Sequence, residues 1–184
     1  MKVFLGLILI APLLSVSSVQ AQYGLENFKE VMPGALYRGG GNGEREPMND
    51  SSLEGLCQAG FDSAIYLYGR KPGRSLNCGG GQIDYPQMKW DRDEDKILSK
   101  IYSNIQNQKG PVYAHCWYGV HASGYIAAIA LRQFCGYTGE EALTYWNSHV
   151  PKSIRYEKVQ KMVLDFAPSG SLNLTPAQQS RYCP

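Results

Sequence analysis

One ten-residue segment in the second half of the chain carries residue types from which a nucleophilic site could be built. The segment, HCWYGVHASG, runs from His115 to Gly124 between a short apolar strand predicted at 112–114 and an apolar helix predicted at 123–134. A tight turn between a strand and a helix points successive backbone N–H groups inward, and the helix N-terminus adds the positive end of its dipole. The segment therefore predicts a cradle for an anion such as phosphate or sulfate.

A cysteine stands at the start of this cradle. The thiol of Cys116 would lose its proton easily there, because the inward N–H groups stabilise a thiolate. Such a thiolate would be both a nucleophile and a neighbour of the bound anion. A lone cysteine is more often a small buried residue, and what distinguishes this one is the position of Gly119, Ser123 and the flanking apolar strand and helix.

The segment resembles the signature loop of the cysteine-dependent protein tyrosine and dual-specificity phosphatases, whose pattern is His-Cys-x5-Arg-Ser/Thr. The similarity extends over nearly all of residues 27–166. Within that family, the phosphatase-like phytases act on inositol polyphosphates and include exported bacterial enzymes. Three further stretches are similar to the small dual-specificity members: FKEVMPGALYRGG to their opening strand pair, GLCQAGFDSAIYLYG to their helix and second strand, and QKGPVYAHC to the strand that enters the loop.

The resemblance implies a role for each residue of the loop. Cys116 would take the phosphoryl group, His115 would tune its acidity, and Ser123 would help the thiolate leave in the second step. The phosphate oxygens would be held by the backbone of the intervening residues, Trp117, Tyr118, Gly119, Val120, His121 and Ala122.

One position departs from the family pattern, because the signature Arg should stand where this chain has Ala122. In the family that Arg clamps two phosphate oxygens and stabilises the transition state. Losing one preorganised donor of this kind costs on the order of 3 to 4 kcal/mol, or about 10²- to 10³-fold in rate. His121, beside the gap, could supply a donor in its charged form. The fold could also bring other cations near, and the candidates are Arg38, Arg70, Lys71, Arg74, Lys152 and Arg155.

The family also uses an Asp on a separate loop to protonate the leaving group. Asp91, 25 residues before Cys116, is predicted to be this general acid, with Asp93 and Asp84 as alternatives. A structural role competes with this prediction. With Glu94 three residues on, Asp91 also fits the N-cap of the helix that follows.

The beginning of the chain is typical of an exported protein. A single Lys, a short apolar run and small residues before Ala21 predict a signal peptide over residues 1–21, with retention as a membrane anchor as the alternative. We expect one phosphatase-like domain at 22–168, a C-terminal tail at 169–184, and a periplasmic or secreted location.

Export bears on the five cysteines, because an oxidising compartment favours disulfides. Four cysteines can pair in three ways, and the sequence does not choose among them. We favour Cys57 with Cys78 and Cys135 with Cys183, which leaves Cys116 free. The alternative to pairing is that some of the cysteines are simply small buried residues.

The net charge and the spacing of the histidines limit the kinds of ligand that the protein is expected to bind. A net charge of +2 over 184 residues gives no general reason to expect a nucleic-acid ligand. The three His residues lack ligand spacing with the cysteines or acids, so no metal and no cofactor is expected. We expect a monomer without a stable membrane span that acts on a phosphorylated small molecule or phosphoprotein. Three alternatives stay open: a binding module that keeps the cradle and has lost turnover, a sulfurtransferase in which Cys116 carries a persulfide, and a purely structural role.

The elements that must position the loop follow from the apolar pattern. Strands are predicted around Pro33 and at 64–68, 82–86 and 112–114, with a Gly/Pro-rich connector between the second and third. Helices are predicted at 53–60, from Asp93, at 123–134, after Thr138 with a capping box, and after Ser153. This order predicts an α/β fold with a mostly parallel central sheet flanked by helices. The resemblance implies the cysteine-phosphatase (dual-specificity) fold.

Overall fold

A computed structural model describes residues 24–41, 45–69 and 71–184, apart from the side chain of Lys152. The predicted signal peptide and Arg70 lie outside the described residues. None of the helices in the described part of the chain is long and apolar enough to cross a bilayer.

A six-stranded sheet forms the centre of the described chain, in the order β1-β2-β6-β3-β5-β4. The inner pairs β2–β6, β6–β3 and β3–β5 are parallel, and each edge strand is added by an antiparallel hairpin. This confirms the mostly parallel sheet. The strands are β1 (Lys29–Met32), β2 (Leu36–Gly40), β3 (Ser63–Tyr66), β4 (Arg74–Cys78), β5 (Gly81–Tyr85) and β6 (Val112–Cys116).

Six α-helices and a 3-10 turn surround the sheet within the described residues. The helix after β6 begins at Ala122, is buried almost all round, and ends at Gly136, which adopts a left-handed conformation with φ 71°. The helices are α1 (Asp50–Gln58), α2 (Glu94–Gln106), α3 (Ala122–Cys135), α4 (Gly139–His149), α5 (Glu157–Asp165) and α6 (Pro176–Tyr182), and the 3-10 turn is Lys152–Ile154.

The two faces of the sheet bury two separate apolar clusters, and the alternation along β6 assigns its side chains to them. Val112, Ala114 and Cys116 face the larger cluster, with α2, α3, α4 and α5. Tyr113 faces the smaller one, with α1. The end of β6 thus delivers a cysteine to the face covered by α3.

Two sequence predictions need correction. The Gly/Pro-rich connector contains the strand Arg74–Cys78, which pairs with β5, so this segment is a hairpin edge rather than a loop. The helix predicted after Ser153 is divided: a 3-10 turn ends at Ile154, and α5 begins only at Glu157 with Tyr156 as its N-cap.

The disulfide pairing favoured from the sequence is confirmed. Cys57 bonds to Cys78, and Cys135 to Cys183, while Cys116 is free and buried. The second bond holds the short helix α6, which lies within the predicted C-terminal tail, against the end of α3.

Candidate active site

The loop between β6 and α3 consists of only five residues and turns sharply at Gly119. Gly119 has φ +69°, and a Cβ there would collide with the backbone of Gly39 and Gly40 on β2. Only glycine therefore fits this position, because both the left-handed conformation and the close approach exclude a side chain.

The carbonyl groups of the loop are held from outside. The amide of Gly41 donates to the carbonyls of Cys116 at 3.0 Å and Trp117 at 3.1 Å. The side-chain amide of Asn27 donates to the carbonyl of Tyr118 at 2.7 Å.

Two amide groups later in the loop, by contrast, have no backbone partner: within the described residues, no backbone carbonyl accepts a hydrogen bond from the amides of Val120 or His121. Unpaired amides that precede a 14-residue helix form the type of site that binds anions. The loop can therefore act as an anion cradle.

The sulfur of Cys116 lies at the entrance to α3. Its side chain is buried, and Sγ is 3.4 Å from Oγ of Ser123, which lies in the first turn of that helix. A serine hydroxyl can donate to a thiolate in this geometry. The structure thus brings together the predicted nucleophile and the hydroxyl predicted to assist it.

His115 lies on the other face of the sheet from the thiol. Burial lowers the pKa of its imidazole to about 3, so the ring is neutral at pH 7. The hydroxyl of Tyr85 accepts from the amide of Met48 at 2.7 Å and lies 2.9 Å from Nε2 of His115. This network assigns the ring proton to Nδ1, which is 3.4 Å from the carbonyl oxygen of Cys116. Contact between His115 and Cys116 therefore runs through the backbone.

The position of the signature Arg is filled by a small apolar residue. Ala122 is fully buried as the first residue of α3. Nε2 of the neighbouring His121 lies 2.7 Å from the carbonyl oxygen of Ile154, and its ring lies 4.6 Å from that of Tyr156. The imidazole of His121 therefore ties the start of α3 to the 3-10 turn, although the residue also lines the small cavity at Cys116.

Among the candidate cations whose side chains the structure describes, Arg38 is the one that reaches the loop. It is 1% exposed, and its Nη1 donates to the carbonyl of Gly119 at 3.4 Å. Arg74 pairs with Asp50, and Arg155 donates to the carbonyls of Val150 and Asn147.

Asp91 is exposed in a turn that precedes α2, and the N-cap interpretation is wrong. The N-cap of α2 is Asp93, two residues later. Asp91 lines a cavity of about 270 Å³ together with Tyr68. Tyr68 also lines the cavity of about 30 Å³ that contains Cys116. Asp91 and Cys116 therefore open onto neighbouring cavities that share one tyrosine.

Tyr68 responds electrostatically to both groups. Burial raises its pKa to about 12, and the nearby Cys116 and Asp91 add to the rise. Its ring stacks on Trp117 with centroids 4.4 Å apart.

The two alternative acids are less suited to donate a proton. The pKa of Asp93 is lowered by hydrogen bonds from Lys96 and the amide of Lys89, which favours its ionised form. Asp84 pairs with Ser63 at the start of β3, at the end of the sheet away from Cys116, and lies 3.4 Å from Lys100. Of the three predicted candidates, Asp91 has the best position.

Aromatic side chains surround the entrance to the cradle. Tyr68, Trp117 and Tyr118 line the small cavity, and Tyr118 is 43% exposed. Among the described residues, no group of three His, Cys, Asp or Glu side chains could hold a metal ion.

Two residues that contact the loop, Asn27 and Arg38, do not stand out in the sequence: Asn27 was not among the candidates, and Arg38 was one of six candidate cations. Asn27 has a positive φ of 50°, which is uncommon for a residue other than glycine, but nothing local predicts its contact with Tyr118. Arg38 lies in the middle of the strand LYRGG, all five residues of which are buried. A charged residue at the centre of a buried strand was the available indication that Arg38 differs from the other cations.

Several solved structures share this fold. The core catalytic domain of the PP-IP phosphatase SIW14 from S. cerevisiae, in complex with citrate, has a TM-score of 0.54 at 14% identity, over 77% of this chain and 86% of that one. P. aeruginosa TpbA has a TM-score of 0.51 at 17% identity, over 83% and 96% of the two chains. A mouse protein assigned to the dual specificity phosphatases, complexed with zinc tungstate, has a TM-score of 0.51 at 14% identity, over 88% and 90%.

These similarities show that the chain has the fold of the dual-specificity phosphatases. No protein-family model and no curated protein matches the sequence.

Proposed function

We propose that this protein is an exported cysteine-dependent phosphatase that hydrolyses phosphomonoesters through a phosphocysteine intermediate. The observation that carries the proposal is the position of Cys116: a free thiol at the end of β6, 3.4 Å from Ser123 Oγ, at a loop in which the amides of Val120 and His121 have no backbone partner among the described residues. The shared fold with known phosphatases supports it.

In the first step, the thiolate of Cys116 attacks phosphorus and forms a P–S bond while the P–O bond to the leaving group breaks. Asp91 gives its proton to the departing oxygen, which leaves as an alcohol. The amides from Trp117 to Ala122 hold the three non-bridging oxygens as charge builds on them.

In the second step, water attacks the phosphocysteine. The ionised Asp91 takes a proton from this water, the P–S bond breaks, and the electron pair returns to sulfur. Ser123 donates a hydrogen bond to the departing thiolate, and inorganic phosphate is released.

Inositol polyphosphates are the candidate substrates, because the neighbour SIW14 is a PP-IP phosphatase and the two disulfides fit an oxidising compartment. Comparing the initial rates on inositol hexakisphosphate and on a phosphotyrosine peptide tests the substrate. A preference for the peptide would contradict this part of the proposal.

A second candidate is a binding module that holds phosphate esters without turnover. The burial of Ala122 and the contact of His121 with Ile154 favour it, because the residue at the signature position offers no donor and the histidine beside it is held by a carbonyl group.

Cys116→Ser separates the two functions. The phosphatase proposal expects hydrolysis of para-nitrophenyl phosphate by the wild type, a mass increase of one phosphoryl group on Cys116 after acid quenching, and neither signal in the variant. Equal residual hydrolysis by the wild type and by Cys116→Ser would contradict the proposal that the protein is a cysteine-dependent phosphatase. Vanadate binding without hydrolysis would instead identify the binding module.

A further inference from the structure

The charge of Arg38 is buried beneath the cradle loop. Arg38 precedes Gly40 by two residues on β2, and Gly40 pairs with Cys116 on β6. Because side chains two residues apart on a strand share a face, the side chains of Arg38 and Cys116 both lie on the face covered by α3. Its guanidinium packs against the first turn of α3: a Cβ added to Gly124 would lie 2.7 Å from Nη1. Nη1 also donates to the carbonyl of Gly119, and Nε has no hydrogen-bond partner.

Among the described residues, no carboxylate lies within 4.0 Å of the guanidinium of Arg38, so no acidic side chain in this part of the chain pairs with the buried charge. The titratable groups around it are Tyr113 of β6 and Tyr145 and His149 of α4. All three are neutral at pH 7, because burial raises the pKa of both tyrosines and lowers that of His149.

A guanidinium keeps its proton in proteins, so burial cannot neutralise Arg38. A buried charge without a partner is costly, and the N-terminus of α3 adds positive potential at the same place. The carbonyl of Gly119 that Nη1 contacts belongs to the cradle loop, and Cys116 contacts Ser123 in the first turn of α3, so a negative charge on the Cys116 sulfur or on a phosphate held by the loop would lie on the same side of the sheet as Arg38.

We propose that Arg38 is a positioning residue that supplies, from beneath the loop, the positive charge that the side chain at Ala122 does not provide. It holds the carbonyl of Gly119, which keeps the following amide turned into the cradle, and it balances the negative charge of the thiolate and of the bound phosphate. This inference rests on the proposed function of the same loop. Arg38 acts through the Gly119 peptide and through space, without touching the phosphate.

The experiment separates the charge of Arg38 from its hydrogen bond and its volume. Arg38→Lys keeps the charge, Arg38→Gln keeps a donor without charge, and Arg38→Met keeps only the volume. Arg132→Met is the matched control, because Arg132 also has an unpartnered Nε but donates to Val163 and Leu164 at the far end of α3. Circular dichroism confirms the fold of each variant.

Two readouts are measured that do not require turnover. The first is the pH dependence of Cys116 alkylation by iodoacetamide, followed by intact mass, and the second is vanadate affinity by calorimetry. We expect the Gln and Met variants to move the alkylation midpoint upward by about one pH unit and to weaken vanadate binding about tenfold. The Lys variant and the Arg132→Met control should stay within about 0.3 pH unit of the wild type.

Equal midpoints for folded Arg38→Gln, Arg38→Lys and the control would overturn the inference. If the Gln and Met variants do not fold, the Lys variant decides the question. An alkylation midpoint shifted by a full pH unit in Arg38→Lys, despite the retained charge, would overturn the inference as well. Failure of the phosphatase proposal looks different, because wild type would then bind vanadate without hydrolysing para-nitrophenyl phosphate, while the effects of Arg38 on both readouts would remain.

Discussion

The hydroxyl oxygen of Ser123 lies 3.4 Å from the sulfur of Cys116, and both residues are buried. This contact joins the end of β6 to the first turn of α3, and its geometry suits donation from the hydroxyl to a thiolate. A thiolate that leaves phosphorus gains from such a donor, whereas a thiolate that attacks loses some nucleophilicity to it. The contact is therefore expected to act mainly in the second half-reaction.

Ser123→Ala should slow hydrolysis of the phosphocysteine. We expect kcat to fall roughly 10- to 100-fold, because one hydrogen bond to a charged group is lost. Rapid-quench measurement with para-nitrophenyl phosphate should show a burst of nitrophenol and accumulated phosphocysteine. Ser103→Ala, an exposed position on α2, is the control. A proportional loss of the burst rate and kcat would place Ser123 in the first step instead.

Asp91→Asn should reduce turnover most for substrates with poor leaving groups. An alcohol needs the proton of Asp91, so kcat/KM for an alkyl phosphate should fall about 10²-fold or more, whereas nitrophenolate leaves with little help. Asp93→Asn is the matched control two residues away, since Asp93 is bound to Lys96 and the amide of Lys89. If Asp93→Asn shows the larger, leaving-group-dependent loss, the assignment of the general acid is wrong.

Gly119→Ala should abolish anion binding. The added methyl group would collide with the backbone of Gly40, so the loop must open. Gly136→Ala provides the comparison, because Gly136 has nearly the same φ, 71° against 69°, and nothing within 4 Å of an added Cβ. The control should lose only about 1 to 2 kcal/mol of unfolding free energy and keep its vanadate affinity. Retained vanadate affinity in Gly119→Ala would show that the loop does not form the cradle.

His115 should make the protein sensitive to acid. Its pKa is about 3 in the folded protein, against 6.5 when exposed, so the unfolded chain binds more protons between these values. The contribution of the neutral ring to the free energy of unfolding is complete above pH 6.5. It declines as the pH falls, by up to about 1.4 kcal/mol per pH unit.

Urea unfolding of wild type and His115→Asn between pH 7 and 5 measures this contribution. The variant should be less stable at pH 7 but should show a shallower decline. His149→Asn, which alters a less buried imidazole, should keep most of the wild-type slope. Identical slopes for wild type and His115→Asn would mean that the imidazole is solvated.

Much of the fold could be predicted because its signals are local. The apolar periodicity of α2, the capping box at Thr138 and the terminating Gly136 each depend on a few neighbouring residues, and the structure confirms them. The strand Arg74–Cys78 escaped prediction because its side chains are mostly exposed and its stability comes from pairing with β5. Backbone pairing of this kind leaves little trace in the composition of a segment.

The residues of the site also divide into those with a local signal in the sequence and those brought together only by the fold. Cys116, Gly119 and Ser123 are close in sequence, so their grouping could be predicted from spacing. Arg38 is 81 residues from Gly119. The contact depends on the parallel pairing of β2 with β6, and no periodicity within either strand encodes which strand will be its neighbour.

The two disulfides leave Cys116 without another thiol in the chain, since the remaining four cysteines are already bonded. A peroxide that converted its sulfur to a sulfenic acid would meet no resolving cysteine, and further oxidation to the sulfinic acid cannot be reversed by ordinary thiols. The 3% exposure of this residue thus also serves as its protection against oxidants. The working lifetime of the protein in an oxidising environment depends on how rarely the loop around that sulfur opens.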